Sequence, residues 1–204
     1  IATEDECKQY IKKYPQSFLI FTEDRTNPIR MRNHVPMHWL GQKQEQNFKG
    51  TAAPNEYYTF QIGIWASTKD IQGITYQASA LTCGDAVIPA SSITCFNLEG
   101  VNPYGQAFKK DIQVKQGSVQ ALWFGVDVNN SQPIGIYKGN IQIRDAEGNT
   151  QTVPIHIEIK GEALADRGDS EPWRHSRLRW LNSTLGIGDT PTPPYTPISA
   201  NENR

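Results

Sequence analysis

Residues 119–160 read VQALWFGVDVNNSQPIGIYKGNIQIRDAEGNTQTVPIHIEIK, and the alternation within them decides the fold class. Towards the end, Val153, Ile155, Ile157 and Ile159 alternate with Thr152, Pro154, His156 and Glu158. Successive side chains of a strand point to opposite faces, so this run has one aliphatic face and one wet face. Tyr137, Ile141 and Ile143 stand in the same way against Lys138, Asn140, Gln142 and Arg144. Between the two runs, Asp145-Ala146-Glu147-Gly148-Asn149 reads as a hairpin loop, with Gly148 and Asn149 suited to positive φ. Val119 to Val128 puts Leu122, Phe124, Val126 and Val128 on one face and Trp123 on the other. Three such strands in succession are expected to form a meander, one side of a β-sandwich whose apolar face lies on a second sheet.

Working outward, Pro133-Ile134-Gly135-Ile136-Tyr137-Lys138-Gly139 has the rhythm of a tyrosine corner, in which a buried Tyr caps backbone just upstream. Gly139 stands where such a corner often has a cysteine, so no inter-sheet disulfide is expected there. At the start of the chain, Thr3 and Glu6 form a capping box and Pro15 stops the run, which predicts a short helix over about 4–14. Ser17 to Phe21 is a buried strand, and Ile29 and Met31 alternating with Arg30 and Arg32 read as an edge-like segment. Gly41 to Asn55 is polar and turn-rich and reads as an exposed loop. Tyr58, Phe60, Ile62, Ile64 and Ala66 share a face opposite Thr59, Gln61 and Trp65. Ile74–Leu81, Val87–Leu98 and the run marked by Phe108, Ile112 and Val114 supply further strands. The expected fold is an all-β, immunoglobulin-like sandwich of about eight strands, with a short N-terminal helix and an extended C-terminal tail.

The 204 residues suffice for one full core, which at this size buries roughly 70% of the unfolded surface. Twenty basic and 21 acidic residues leave a net charge of −1, which argues against nucleic acid or an anionic membrane as the main partner. There is no apolar run long enough to span a membrane. Buried free thiols are the expected state of the three cysteines; the alternative is a Cys83–Cys95 bridge in an oxidising compartment, which would leave Cys7 over. His34 and His38 invite a metal, but Pro36 between them prevents one helical face, and no ligand stands beside them at zinc spacing. Neither a metal nor any other cofactor is expected. No carboxylate pair can be placed across a cleft, so no catalytic residue is assigned.

Past Gly161 the composition changes. The reading divides the chain into a sandwich over 1–161 and a linker or tail over 162–204 that runs towards a further domain. Trp173, Arg174, Arg177, Arg179 and Trp180 form the one local surplus of positive charge. They are candidate binding residues, for a sugar ring stacked on tryptophan or for a domain interface. In the interface reading Leu178, Trp180 and Leu181 lie on the sandwich or on the next domain, and the arginines pair with carboxylates.

Phe21-Thr22-Glu23-Asp24-Arg25 with Pro28-Ile29-Arg30-Met31-Arg32 resembles the opening of the N-terminal domain of glycoside hydrolase family 123-like proteins. Ser176 to Gly186, SRLRWLNSTLG, followed by Thr192-Pro193-Pro194-Tyr195-Thr196-Pro197, is similar to the junction that ends that domain. The resemblance implies a secreted, periplasmic or extracellular protein of Bacteroidetes-type bacteria, active in carbohydrate metabolism. In that family a downstream (β/α)-barrel removes an N-acetylhexosamine with an adjacent Asp-Glu pair. Those residues have no counterpart here, so the chain is expected to be a non-catalytic accessory domain. Its partner would be the catalytic domain of the same polypeptide. The alternative is a carbohydrate-binding module with Trp65, Trp173 or Trp180 as platform, in contact with glycans directly. A third class, an adhesin or assembly subunit, would polymerise through exposed strand edges.

Overall fold

The computed structural model describes residues 1–42, 44, 47–188 and 190–198. Helix α1 spans Glu4–Lys13, and the strands begin with β1 (Phe18–Asp24). After a one-turn helix α2 (Met37–Leu40) come β2 (Phe48–Ala52) and the long β3 (Tyr57–Ala66). Five short strands follow: β4 (Thr75–Ala78), β5 (Leu81–Cys83), β6 (Ala86–Ile88), β7 (Ile93–Cys95) and β8 (Glu99–Val101). The last four are β9 (Ala107–Lys109), β10 (Val119–Asp127), β11 (Gly135–Arg144) and β12 (Thr150–Ile159). The first sheet runs β1-β3-β10-β7, and the second runs β2-β12-β11-β5-β6 with β4 pairing farther along β11. A separate ribbon joins β8 and β9. This is an immunoglobulin-like β-sandwich.

The stretch over 119–160 is not a meander. β10 lies in the first sheet, against β3 and β7, whereas β11 and β12 form the antiparallel centre of the second. Alternation fixes which face of a strand is buried, but it does not say which of two sheets the strand joins. The change of sheet occurs at Pro133–Tyr137, where the tyrosine corner forms. Tyr137 is fully buried, and its hydroxyl donates to the Pro133 carbonyl at 2.8 Å. A Cβ on Gly135 would stand 2.5 Å from Cys83 Sγ, which is why the corner has a glycine there. In the β11–β12 hairpin the Asp145 carboxylate accepts from the amides of Glu147 and Asn149, at 3.0 and 2.9 Å. Of the two residues expected at positive φ, only Gly148 takes it, at 89°.

Two apolar layers result. Phe60, Ile62, Ile64, Leu122, Phe124, Ile155 and Ile157 fill the space between the sheets. Tyr10, Leu19, Phe21, Val35, Trp39, Trp65 and Val119 fill a second layer outside the first sheet, beneath α1 and α2. The capping box of α1 is formed, with the Thr3 amide donating to Glu6 Oε2 at 2.8 Å. Because this layer covers its outer side, β3 is buried along its whole length.

Three other expectations change, concerning Ile29–Arg32, the 41–55 loop and the short strands after β3. Ile29–Arg32 is not a strand; it crosses the first sheet as irregular chain, with Ile29 N donating to the Gln61 side chain at 2.8 Å. Within the expected loop, Phe48–Ala52 forms β2, an edge strand parallel to β12. Five residues with one large apolar side chain carry too little period to announce a strand. Ile74–Leu81 and Val87–Leu98 each break into shorter pieces, and Val114 makes only an isolated bridge to Ile71. All three cysteines are free, with Cys83 on the second sheet and Cys95 on the first.

Candidate functional site

Asn55, at φ 60°, turns the chain so that Glu56 enters at the head of β3 with no solvent exposure. Its carboxylate takes three donors: Arg25 Nη1, Arg174 Nη1 at 3.1 Å, and the Ala53 amide at 2.8 Å. The Arg25 guanidinium is stacked between two rings, 4.7 Å from the centroid of Tyr58 and 4.9 Å from that of Trp173. Arg174 lies 4.4 Å from the same indole. Burial, the largest cause, pushes the Tyr58 hydroxyl pKa up, and the Arg25 charge opposes it. A buried carboxylate is tolerable only when it is paired and fully hydrogen-bonded, and Glu56 meets both conditions. The clasp ties β1, β3 and the segment after Gly161 together.

Beside the clasp lies a trough of about 980 Å³ that runs from Trp173 over β2 onto the outer face of the second sheet. Pairing across the strands places Lys138, His156 and Lys49 in one row, and Ile136, Glu158 and Thr51 in the next. Phe48 and Ala52 point into the core, so Lys49 and Thr51 point outward. Glu158 pairs with Lys160 at 2.8 Å.

The five sequence-predicted site residues divide between two places. Trp173, 51% exposed, and Arg174 form one wall of the trough. Arg177, Arg179 and Trp180 do not line it; they belong to the 3-10 helix Ser176–Asn182. Arg177 Nε donates to the Asp169 carbonyl at 2.8 Å, with its guanidinium 5.3 Å from the Trp180 ring. Arg179 makes a two-point pair with the Asp169 carboxylate, which holds that carboxyl below the usual range. Trp180 and Leu181 remain 54% and 63% exposed, although the 3-10 helix that carries them lies against β3 and β10. Trp65 is 1% exposed beneath Tyr10, so it cannot act as a platform.

The 3-10 segment also meets the β8–β9 ribbon. Val101 N donates to the Asn182 side chain at 3.1 Å, and Gly105 lies against Ile187. Around this junction Tyr104, Phe108, Trp180, Leu181 and Leu185 are all exposed. His38 pairs with Glu23, which also accepts from Trp39 Nε1 at 2.6 Å. Among the described residues there is no metal-holding group of His, Cys, Asp or Glu. Sequence reasoning missed Arg25, Glu56, Lys49, Lys138 and His156. Only the parallel register of β2 brings Lys49 beside His156, and β2 itself was not legible.

No protein-family model and no curated protein sequence matches the chain. Among solved structures it is similar to a family 123 glycoside hydrolase from Clostridium perfringens, at 11% identity and a TM-score of 0.56. That match covers 72% of this chain, which spans only 28% of the hydrolase. A second similar structure is self-complemented MyfA, the major fimbrial subunit of Yersinia enterocolitica, in complex with galactose. It shows 9% identity and a TM-score of 0.37, with 57% of this chain and 94% of that one covered. A third is a PapD-like domain of human CEP192, at 13% identity and a TM-score of 0.31, over 58% and 84% of the two chains. At these identities the likeness is one of fold: an immunoglobulin-like sandwich shared with part of a family 123 glycoside hydrolase.

Proposed function

We propose that the chain is a non-catalytic accessory sandwich, the N-terminal domain of a glycoside hydrolase, which orients a catalytic barrel acting on N-acetylhexosamine glycans. The observation that carries this reading is the exposed apolar surface where the β8–β9 ribbon meets the C-terminal segment. Tyr104, Trp180, Leu181 and Leu185 are 81%, 54%, 63% and 79% exposed there. Large apolar side chains left exposed on two adjoining segments suit an interface with another folded body. The shared fold with part of a family 123 hydrolase supports the choice of partner. In this reading the protein acts in the periplasm or outside the cell.

The first test is hydrolysis. The purified chain should release no chromophore from an aryl N-acetylgalactosaminide, and measurable turnover would overturn the accessory reading. The second test is amide exchange on the full polypeptide. Residues 176–187 should exchange more slowly there than in the isolated 204-residue chain. Equal exchange would mean that no domain docks on this surface.

A further inference from the structure

We propose that the trough between Trp173 and the outer face of the second sheet binds an anionic saccharide, one sugar ring resting on the indole and its carboxylate or sulfate held by Lys49 and Lys138. This site is separate from the docking surface above and does not depend on the accessory reading. The trough has room for a short oligosaccharide, at about 980 Å³.

Trp173 supplies the stacking wall. Its indole is half exposed, yet Arg25 at 4.9 Å and Arg174 at 4.4 Å hold it in place. Those cations are themselves fixed by buried Glu56. Its Nε1 donates to Glu171 at 2.9 Å, which fixes the plane of the ring. An aromatic side chain kept rigid and wet is suited to the C–H face of a sugar, because little rotamer entropy is lost on binding.

The floor supplies the charge selection. Lys138 and Lys49 flank His156 across three adjacent strands, so two ammonium groups and an imidazole share one row. Lys49 and Lys138 stand on the strands either side of β12, so an anion lying over His156 meets positive charge from both sides. Among the described residues neither Lys49 nor Lys138 is paired with a carboxylate, whereas neighbouring Lys160 is taken by Glu158. Ile136 in the next row, 52% exposed, offers an apolar contact to the ring beside the charged group. Of the lining carboxylates, Glu56 and Glu158 are paired and Asp24 accepts from its own Thr26. Among the described residues neither Asp24 nor Glu162 has a cationic partner, and both work against an anionic ligand.

Calorimetric titration of the chain with three sets of oligosaccharides tests this: oligogalacturonates, chondroitin sulfate oligosaccharides and neutral gluco-oligosaccharides. Either acidic set should bind and the neutral set should not; which acidic set binds tells carboxylate from sulfate. The double variant Lys49→Ala/Lys138→Ala should weaken binding at least tenfold. Both side chains are exposed, so the fold survives, as unchanged circular dichroism would verify. Trp173→Ala should weaken binding by a similar factor and Trp173→Phe by much less, while Glu162→Gln should tighten it about two- to threefold. No binding by the unaltered chain overturns the proposal, as does equal binding of the neutral set. Binding that ignores both lysines places the ligand elsewhere. Binding that falls with the lysines but ignores Trp173→Ala reduces the trough to an electrostatic patch and also overturns it.

Discussion

Glu56 has no contact with water and satisfies three donors, two of them arginines. Its removal would leave Arg25, whose side chain is 7% exposed, without a counter-charge inside the protein. Breaking a buried pair on one side is costly because the remaining charge stays desolvated. Glu56→Ala should therefore lower stability by about 3–5 kcal/mol, measured by urea denaturation. Glu56→Gln keeps the volume and the Ala53 amide bond and should recover only part of that loss. A change below about 1 kcal/mol for the alanine variant would mean that Arg25 rehydrates freely, as an exposed pair would. Nothing in the sequence marks Glu56, which precedes an apolar strand as many solvated carboxylates do. Tyr137 is the opposite case: the spacing of Pro133, Gly135 and Tyr137 announces its corner, and the corner forms.

At the scale of elements, alternation exposed what it physically encodes and nothing more. The inward faces of β3, β10, β11 and β12 follow directly from the pattern, since a one-residue error would turn every side chain around. The sheet that each strand joins depends on long-range pairing, so β10 could not be placed by periodicity. β2 was hidden for a related reason, as an edge strand is held by one neighbour. The 3-10 helix Ser176–Asn182 illustrates how charge then fixes an element of low intrinsic stability. Arg179 grips the Asp169 carboxylate and also donates to the Ser176 carbonyl at 3.3 Å. Because Arg179 holds the Asp169 pKa below its unfolded value, this pair contributes fully above the ordinary carboxylate range. The contribution is lost as pH falls through the depressed value. Protection of the Ser176–Asn182 amides from exchange, taken relative to the intrinsic rate at each pH, should accordingly fall on acidification below about pH 4. Asp169→Asn should show faster exchange already at neutral pH and a flatter acid response. An unaltered profile in that variant would assign the anchoring to Glu56 and Arg174 alone.

At the scale of the whole molecule, the composition break at Gly161 and the physical edge of the fold do not coincide. Leu164 N donates to Pro54 O at 3.0 Å, Asn55 Nδ2 to Leu164 O at 2.5 Å, and Tyr57 N to Arg167 O at 3.1 Å. Thr59 Oγ1 donates to Arg174 O at 2.8 Å, and Arg174 completes the clasp on Glu56. Beyond Asn182, the backbone amides of Ser183, Ile187 and Tyr195 bond only to residues three places back. A linker-like composition reflects few apolar residues, but a segment can be fixed by backbone bonds and ion pairs that composition does not register. Two shortened chains separate these regions. One ending at Asn182 should unfold within about 1 kcal/mol of the intact chain, because among the described residues what it loses is tied to the rest by little more than Ser183 N on Trp180 O and the contact of Ile187 with Gly105. One ending at Gly161 loses these four hydrogen bonds, each worth about 1 kcal/mol. With them go the contacts of Arg174 to Glu56, Arg167 to Asp127 and Asn182 to Val101, which leaves Glu56 and Arg25 open to water. It should unfold about 3–5 kcal/mol more easily or fail to fold. Urea titration of both reads the difference. Equal midpoints for the two would make residues 162–182 a passive tail, and the wall that Trp173 gives the trough would then be incidental to the fold.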